Sequence, residues 1–250
     1  MDKEIQRYRF FLKDTIRKQI DFHITDQSRG VDPPPLQKPY SSSQKTYDLV
    51  KREDFKSDFN MELMEVISKR QSVRQFSEEE LSFKELSFLL WATQGIRLFS
   101  PPLANLRTVP SAGARHGFET YLYIRHVQGL EEGIYRYLPV EHKLVHEFSE
   151  PSLAVKLGQS CFGQVFVGFC AVTFIWSVIP QRMEWRYHLA AHKVLAIDVG
   201  HVCQNLYLAC EAINAGTCAI GAYDQEAMDN LLRLDGVEEF VIYLAPVGKK

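Results

Sequence analysis

Arg70, Gln71, Ser72 and Arg74 stand within one short string, which places two guanidinium groups and a hydroxyl close together. If the preceding helix continues through them, the two arginines lie four apart on one face. Two planar guanidinium forks beside a hydroxyl donor suit a phosphate group. Taken alone the string decides little, because arginines at that spacing more often mark a solvated helix face. A second string, RTVPSAGARH, contains Pro110, Ser111, Ala112 and Gly113, small or conformationally special residues whose backbone amides can approach a flat ring. An ordinary surface turn would use the same residues. In the third, GTCAIGAYD, the loop Ala219, Ile220 and Gly221 follows a short apolar strand, and the terminal EEFVIYLAPVGKK adds the cation Lys249. Glycines at strand ends are common, so this too is inconclusive by itself.

Other constellations carry less. His188 and His192 are four apart, a spacing that zinc helices use, but no glutamate follows His188 and no third ligand is suggested; no metal is expected. Asp198, His201 and Asn205 share one helical face and read as an interhelical hydrogen-bond network. The chain contains neither GxGxxG nor GxxxxGK, so a Rossmann or P-loop nucleotide site is unsupported.

The elements that must position these strings follow from periodicity. Residues 3 to 20 space Ile5, Tyr8, Leu12, Ile16 and Ile20 as an amphipathic helix. From Asp26 to Tyr47, Gly30, Pro33, Pro34, Pro35, Pro39 and three consecutive serines exclude regular structure; this is a wrapping arm that another surface must receive. A compact part begins at Phe59 with a helix through MELMEVISKR. Ser82 and Glu85 form a capping box for a second helix, KELSFLLWATQ, which stops at Gly95 in the left-handed C-terminal position. A loop with Pro101, Pro102 and Pro110 follows, then a hairpin of ETYLYIRH and GIYRYLPV. A short helix from Pro151 to about Gly158, a core strand FVGFCAVTFIWSV, one long helix over 182 to 214, a helix capped by Asp224 and a closing strand EEFVIYLAPVG complete the chain. The second half of the long helix is apolar almost all round and is expected to be buried, within the chain or against a partner subunit. The fold class is α+β, divided into an arm over 1–58 and a compact domain over 59–250.

The composition narrows the function. With 250 residues, 29 basic and 31 acidic, the net charge of -2 gives no reason to seek nucleic acid or anionic membrane. The longest uncharged stretch has an apolar kernel from Val165 to Ile179, too short for a bilayer span of about 20 residues. Five cysteines without a CxxC pair, and charges at the N-terminus where a signal peptide needs an apolar stretch, lead to the expectation of a reduced, cytoplasmic protein.

Taken in order, these strings resemble the nitroreductase superfamily and, within it, the SagB or ThcOx-type dehydrogenase branch. The Pro-rich arm, RxSxR, LLWATQGI, RTVPSAGARH with its ETYL strand, Trp185-Arg186-Tyr187, the GH..QNL helix and EEFVIYLAPVG cover most of the chain. The resemblance implies a central antiparallel or mixed sheet flanked by helices, an intertwined homodimer, and flavin mononucleotide (FMN) held between subunits. On it, Arg70, Gln71, Ser72 and Arg74 contact the phosphate and ribityl chain, and Pro110 to Gly113 reach the flavin from the partner. Ala219, Ile220 and Gly221 lie beside the ring, Lys249 serves as a basic ligand, and Arg186 and Tyr187 occupy the catalytic positions. Where the azoline-oxidising branch has a lysine and tyrosine pair, this chain has Arg186 and Tyr187, and a guanidinium does not act as a general base. The activity implied is electron transfer between NAD(P)H and an electron-poor or unsaturated small molecule. The alternatives are oxidation of a peptide-derived or other biosynthetic intermediate, and flavin binding without turnover.

Overall fold

The computed structural model describes residues 3–55, 58–100 and 104–250. The chain opens with α1 (Lys3–Tyr8) and 3-10 turns at Arg9–Leu12, Asp14–Gln19 and Phe22–Ile24. One short helix and turns thus replace the amphipathic helix expected over 3 to 20. No residue of α1 or of the first two turns is buried, so the apolar stripe lacks the packing that sustains a longer helix. After the arm come β1 (Thr46–Asp48), α2 (Arg52–Phe55) and α3 (Leu63–Lys69).

Next is α4 (Phe83–Gln94), which begins on the expected capping box: Ser82 accepts from the Glu85 amide, and Glu85 accepts from the Ser82 amide. Its end differs from expectation. Gly95 is extended, with φ -62 and ψ 139, and is not left-handed. Glycine is required there for space, since a Cβ would lie 2.4 Å from the Trp91 ring and 2.6 Å from its carbonyl oxygen. Where a loop was expected, β2 (Ile96–Ser100) and β3 (Ala104–Arg107) pair antiparallel; Pro101 and Pro102 lie outside the described residues.

The expected hairpin is β4 (Phe118–Ile124) and β5 (Gly133–Leu138), extended by an unforeseen third strand, β6 (Lys143–Phe148). Then follow α5 (Leu153–Ser160), the core strand β7 (Val172–Val178), α6 (Gln181–Tyr187), α7 (Ala191–Ala212), β8 (Ala215–Thr217), α8 (Gln225–Leu231) and β9 (Phe240–Lys249). The main sheet runs β1-β6-β5-β4-β7-β9-β8, antiparallel throughout. Its strands alternate faces. Leu122, Phe174 and Trp176 pack with Leu86, Leu89 and Leu90 of α4 and Leu195 and Leu206 of α7. Tyr121, Tyr123 and Ile175 pack with Leu153 and Leu157 of α5 and Met228 of α8. The apolar second half of α7 is therefore largely absorbed by this chain's own core.

The single helix expected over 182 to 214 is broken in two. His188 adopts φ 48 and ψ -134, a 3-10 turn spans His188–Ala190, and α7 restarts at Ala191. No glycine or proline marks the break, so its cause is tertiary. The arm holds the corner: the Gln27 amide donates to the Trp185 carbonyl at 2.9 Å, and the Trp185 indole donates to the Val31 carbonyl at 2.8 Å.

Buried charges receive the rest of the arm. Glu119, 2% exposed, accepts from the Lys38 amide and pairs with Arg136 and Arg182. The Arg136 guanidinium donates to the Lys38 and Pro39 carbonyls, and the Lys38 ammonium pairs with Glu239 at 2.6 Å. Arg107 donates to the Leu36 carbonyl and to the amide oxygens of Asn105 and Gln94. Its burial, with Arg182 nearby, lowers its pKa to about 10. All five cysteines are free and buried, and no helix among the described residues is long and apolar enough to cross a membrane.

Candidate active site

The phosphate-type string does not continue α3. Arg70 ends that helix at φ -53 and ψ 120, and the chain runs on extended, with Ser72 bridging Thr217 in parallel and the Val73 amide donating to the Thr217 carbonyl. Val73 packs on Gly216, where a Cβ would lie 2.6 Å from it. In extended backbone, residues at i, i+2 and i+4 share a side, so Arg70, Ser72 and Arg74 retain a common direction by a different route from the helical one. Arg70 is half-buried, while Gln71, Ser72 and Arg74 are exposed. Among the described residues neither arginine has an acidic partner. That donor set fits a phosphate.

Tyr207, which sequence reasoning missed, joins this string to the loop after β8. Its hydroxyl lies 3.0 Å from Ser72 Oγ and accepts from the Ala219 amide at 2.8 Å, and Arg70 lies over its ring at 5.4 Å. A single phenol in the apolar run VCQNLYLAC was the available signal. Ile220 is pinned by a bridge to Leu244, leaving Gly221 exposed. Lys249 is held elsewhere: it is 8% exposed, and its ammonium donates to Glu85 and to the Ile213 carbonyl.

The Pro110 to Gly113 loop lies at the other end of α7. Asp198 accepts from the Ala112 amide at 3.1 Å. Burial raises the Asp198 pKa, opposed by bonds from Ser111 and Ala112. Asp198 thus anchors this loop, while Asn205 donates to the Ala92 carbonyl and His201 is exposed; the expected single network is instead two separate ties. At 1.5 Å per residue, Asp198 and Tyr207 are roughly 13.5 Å apart along the helix axis. Gly113, with φ 59, faces Arg186 and Tyr187: a Cβ there would lie 2.7 Å from the Tyr187 hydroxyl and 3.0 Å from Arg186 Nε. Arg115 stacks over Trp185 at 4.6 Å, and its pKa is lowered by burial and by the neighbouring Arg186 and Arg182. His192 pairs with Glu184 at 2.7 Å. Among the described residues no group of three His, Cys, Asp or Glu side chains is placed to hold a metal.

Lys249 apart, the structure therefore gathers the sequence candidates into two clusters, one around Tyr207 and one around Gly113. Comparison with known proteins places this architecture. Residues 67–249 match the model of the Nitroreductase family. A protein of Methanocaldococcus jannaschii, provisionally assigned as a nitroreductase, is 32% identical over 190 residues, covering 76% of this chain and 92% of its own. A solved structure from Ralstonia eutropha JMP134, assigned in the same way, superposes with a TM-score of 0.68 at 25% identity over 87% of this chain and 97% of that one. A chain from the E. coli microcin synthetase complex, solved with truncated pro-MccB17 bound, shares the fold with a TM-score of 0.59 at 16% identity, covering 85% of each chain. From the last residues of α3 to the end of β9, then, both sequence and fold agree, and this chain belongs to the Nitroreductase family of oxidoreductases.

Proposed function

We propose that this chain is an FMN-dependent oxidoreductase that passes hydride or electrons between NAD(P)H and an electron-poor or unsaturated small molecule, and that its working unit is a homodimer. The carrying observation is the division of the candidate residues between the two ends of α7. In one chain the Tyr207 cluster offers a phosphate grip without a second wall, and the Gly113 cluster offers a wall without a grip. A two-fold dimer brings one of each together twice.

In this reading Arg70, Ser72 and Arg74 hold the FMN phosphate, with Gln71 along the ribityl chain. The Ala219 to Gly221 loop, fixed by Tyr207, lies beside the ring, and the partner supplies its Pro110 to Gly113 loop. When bound, FMN supplies a ring that takes up hydride and hands electrons on. The chain's own part is to hold it, exclude water and orient the second substrate. Lys249 has no place in the grip, since Glu85 already holds its ammonium. Azoline oxidation is not part of the proposal, because the position after Trp185 carries a guanidinium, which does not act as a general base the way a lysine amine can.

Mass spectrometry of cofactor released from purified protein tests the reading, with about one FMN per chain expected. Anaerobic NAD(P)H should then bleach the yellow protein. FAD in place of FMN, or no flavin after reconstitution, overturns the assignment.

A further inference from the structure

We propose that the corner where α6 meets the Pro110 to Gly113 loop is a subsite for a carboxylate carried by the electron acceptor, with Arg186 as its anchor and the Tyr187 hydroxyl as a second donor. The proposal deepens the electron-transfer reading above and rests on it.

Three arginines converge on this corner. Arg182 and Arg186 are one helical turn apart on α6, and Arg115 lies against both, donating from Nε to the Arg182 carbonyl at 3.2 Å. Arg182 is paired with Glu119, and Arg115 is stacked on Trp185. Arg186 is different. It is half-buried, and among the described residues it has no acidic partner and no hydrogen bond, only the Tyr187 ring at 5.6 Å. The Tyr187 hydroxyl likewise makes no hydrogen bond among these residues. Arg186 is thus a cation in a place where water is partly excluded, with no acidic partner among the described residues. A charge in that setting draws a counter-ion of the opposite sign.

The backbone brings both donors against the loop. Because Gly113 has no side chain, the phenol and the guanidinium both reach the loop; any other residue would meet the Tyr187 hydroxyl at 2.7 Å and Arg186 Nε at 3.0 Å, on backbone with φ 59 that side chains rarely adopt. The arm stiffens the corner through its two bonds to Trp185, the residue before Arg186. A planar guanidinium on a fixed support donates to both oxygens of a planar carboxylate in a bidentate fork, whereas a neutral amide of the same shape gains only ordinary hydrogen bonds.

Calorimetric titration of the flavin-loaded protein with benzoate and with benzamide tests this directly. Wild type is expected to bind benzoate about tenfold or more tightly than benzamide, the scale of one charge-assisted pair. Arg186→Gln should remove that preference while changing benzamide affinity less than about twofold. Arg186→Lys, which keeps the charge without the fork, should retain part of it and guards against a folding artefact in the first variant. Equal binding of the two ligands by wild type, or equal losses of both in Arg186→Gln, overturns the proposal. The underlying reading fails separately: protein that prefers benzoate through Arg186 but is not bleached by NAD(P)H defeats electron transfer and leaves the carboxylate site standing.

Discussion

At the residue scale, function follows from which charged groups lack a partner. Glu119, Arg136, Arg182 and Lys249 all look conspicuous in a list of charged residues, yet each is held by another group and serves the fold. Among the described residues Arg70 and Arg74 are without acidic partners, and they stand beside Ser72 in the chain. We expect Arg70→Ala and Arg74→Ala each to weaken FMN binding by roughly 1.5 to 3 kcal/mol, the value of a hydrogen bond to a charged group. Riboflavin, which lacks the phosphate, should lose much less in parallel fluorescence titrations, and equal losses for both ligands would assign these arginines to the fold. The arginines were picked out in the sequence only as part of an ordered set of strings, and the structure gives them a common side through extended backbone where a helix was expected. Tyr207 was not picked out, because a phenol within an apolar helix gives no sign of which loop its hydroxyl will meet. Lys249 was misplaced for a related reason: a terminal lysine reads as free until its partner, 164 residues away, is located.

At the scale of elements, local signals predicted starts better than stops. The Ser82 and Glu85 capping box and the Asp224 cap are both formed, since each is complete within four residues. The end of α4 depends on a close approach to Trp91, and the division of α6 from α7 depends on an arm more than 150 residues earlier. His188 sits in a region of backbone space that is essentially reserved for glycine, at a cost of order 1 to 3 kcal/mol. His188→Gly is therefore expected to stabilise the protein by about 1 kcal/mol after the added freedom of the unfolded chain is counted, raising the melting temperature by roughly 2 to 4 °C. A lowered melting temperature would mean that the imidazole makes a contact worth more than the strain.

At the scale of the whole molecule, periodicity alone gave an α+β mixture, and the family resemblance supplied the antiparallel sheet flanked by helices that the fold shows. The order of the strands was not legible, because β1 and β6 are short and partly polar, and their pairing is set by the arm and the hairpin. Leu206, in the apolar second half of the long helix, is fully buried in this chain's own core, so a charge there would test folding and not association. Leu208 is the better probe. It is half-buried and lines an open groove of about 390 Å³ with Leu63, Val66, Phe88 and Trp91, next to the exposed Met64 and Ile67. Wild-type protein is expected to scatter light as a species of about twice 28.8 kDa. Leu208→Asp should yield a colourless monomer, while a folded yellow monomer, in variant or wild type, would contradict the shared site.

The strap formed by the arm also imposes an order in time. Lys38 finds its partner Glu239 across 201 residues of sequence, and Glu119 and Arg136 reach its backbone across 81 and 98. At synthesis rates of about 5 to 20 residues per second, the arm emerges from the ribosome roughly 10 to 40 s before Glu239 exists to receive it. During that interval it must remain unfolded without engaging anything else. A stretch rich in proline and serine, poor in strand-formers and unable to build a core of its own suits such a wait. The earliest of these segments to be made is thus among the last to be secured, and its docking closes the nascent chain around the corner that carries Arg186.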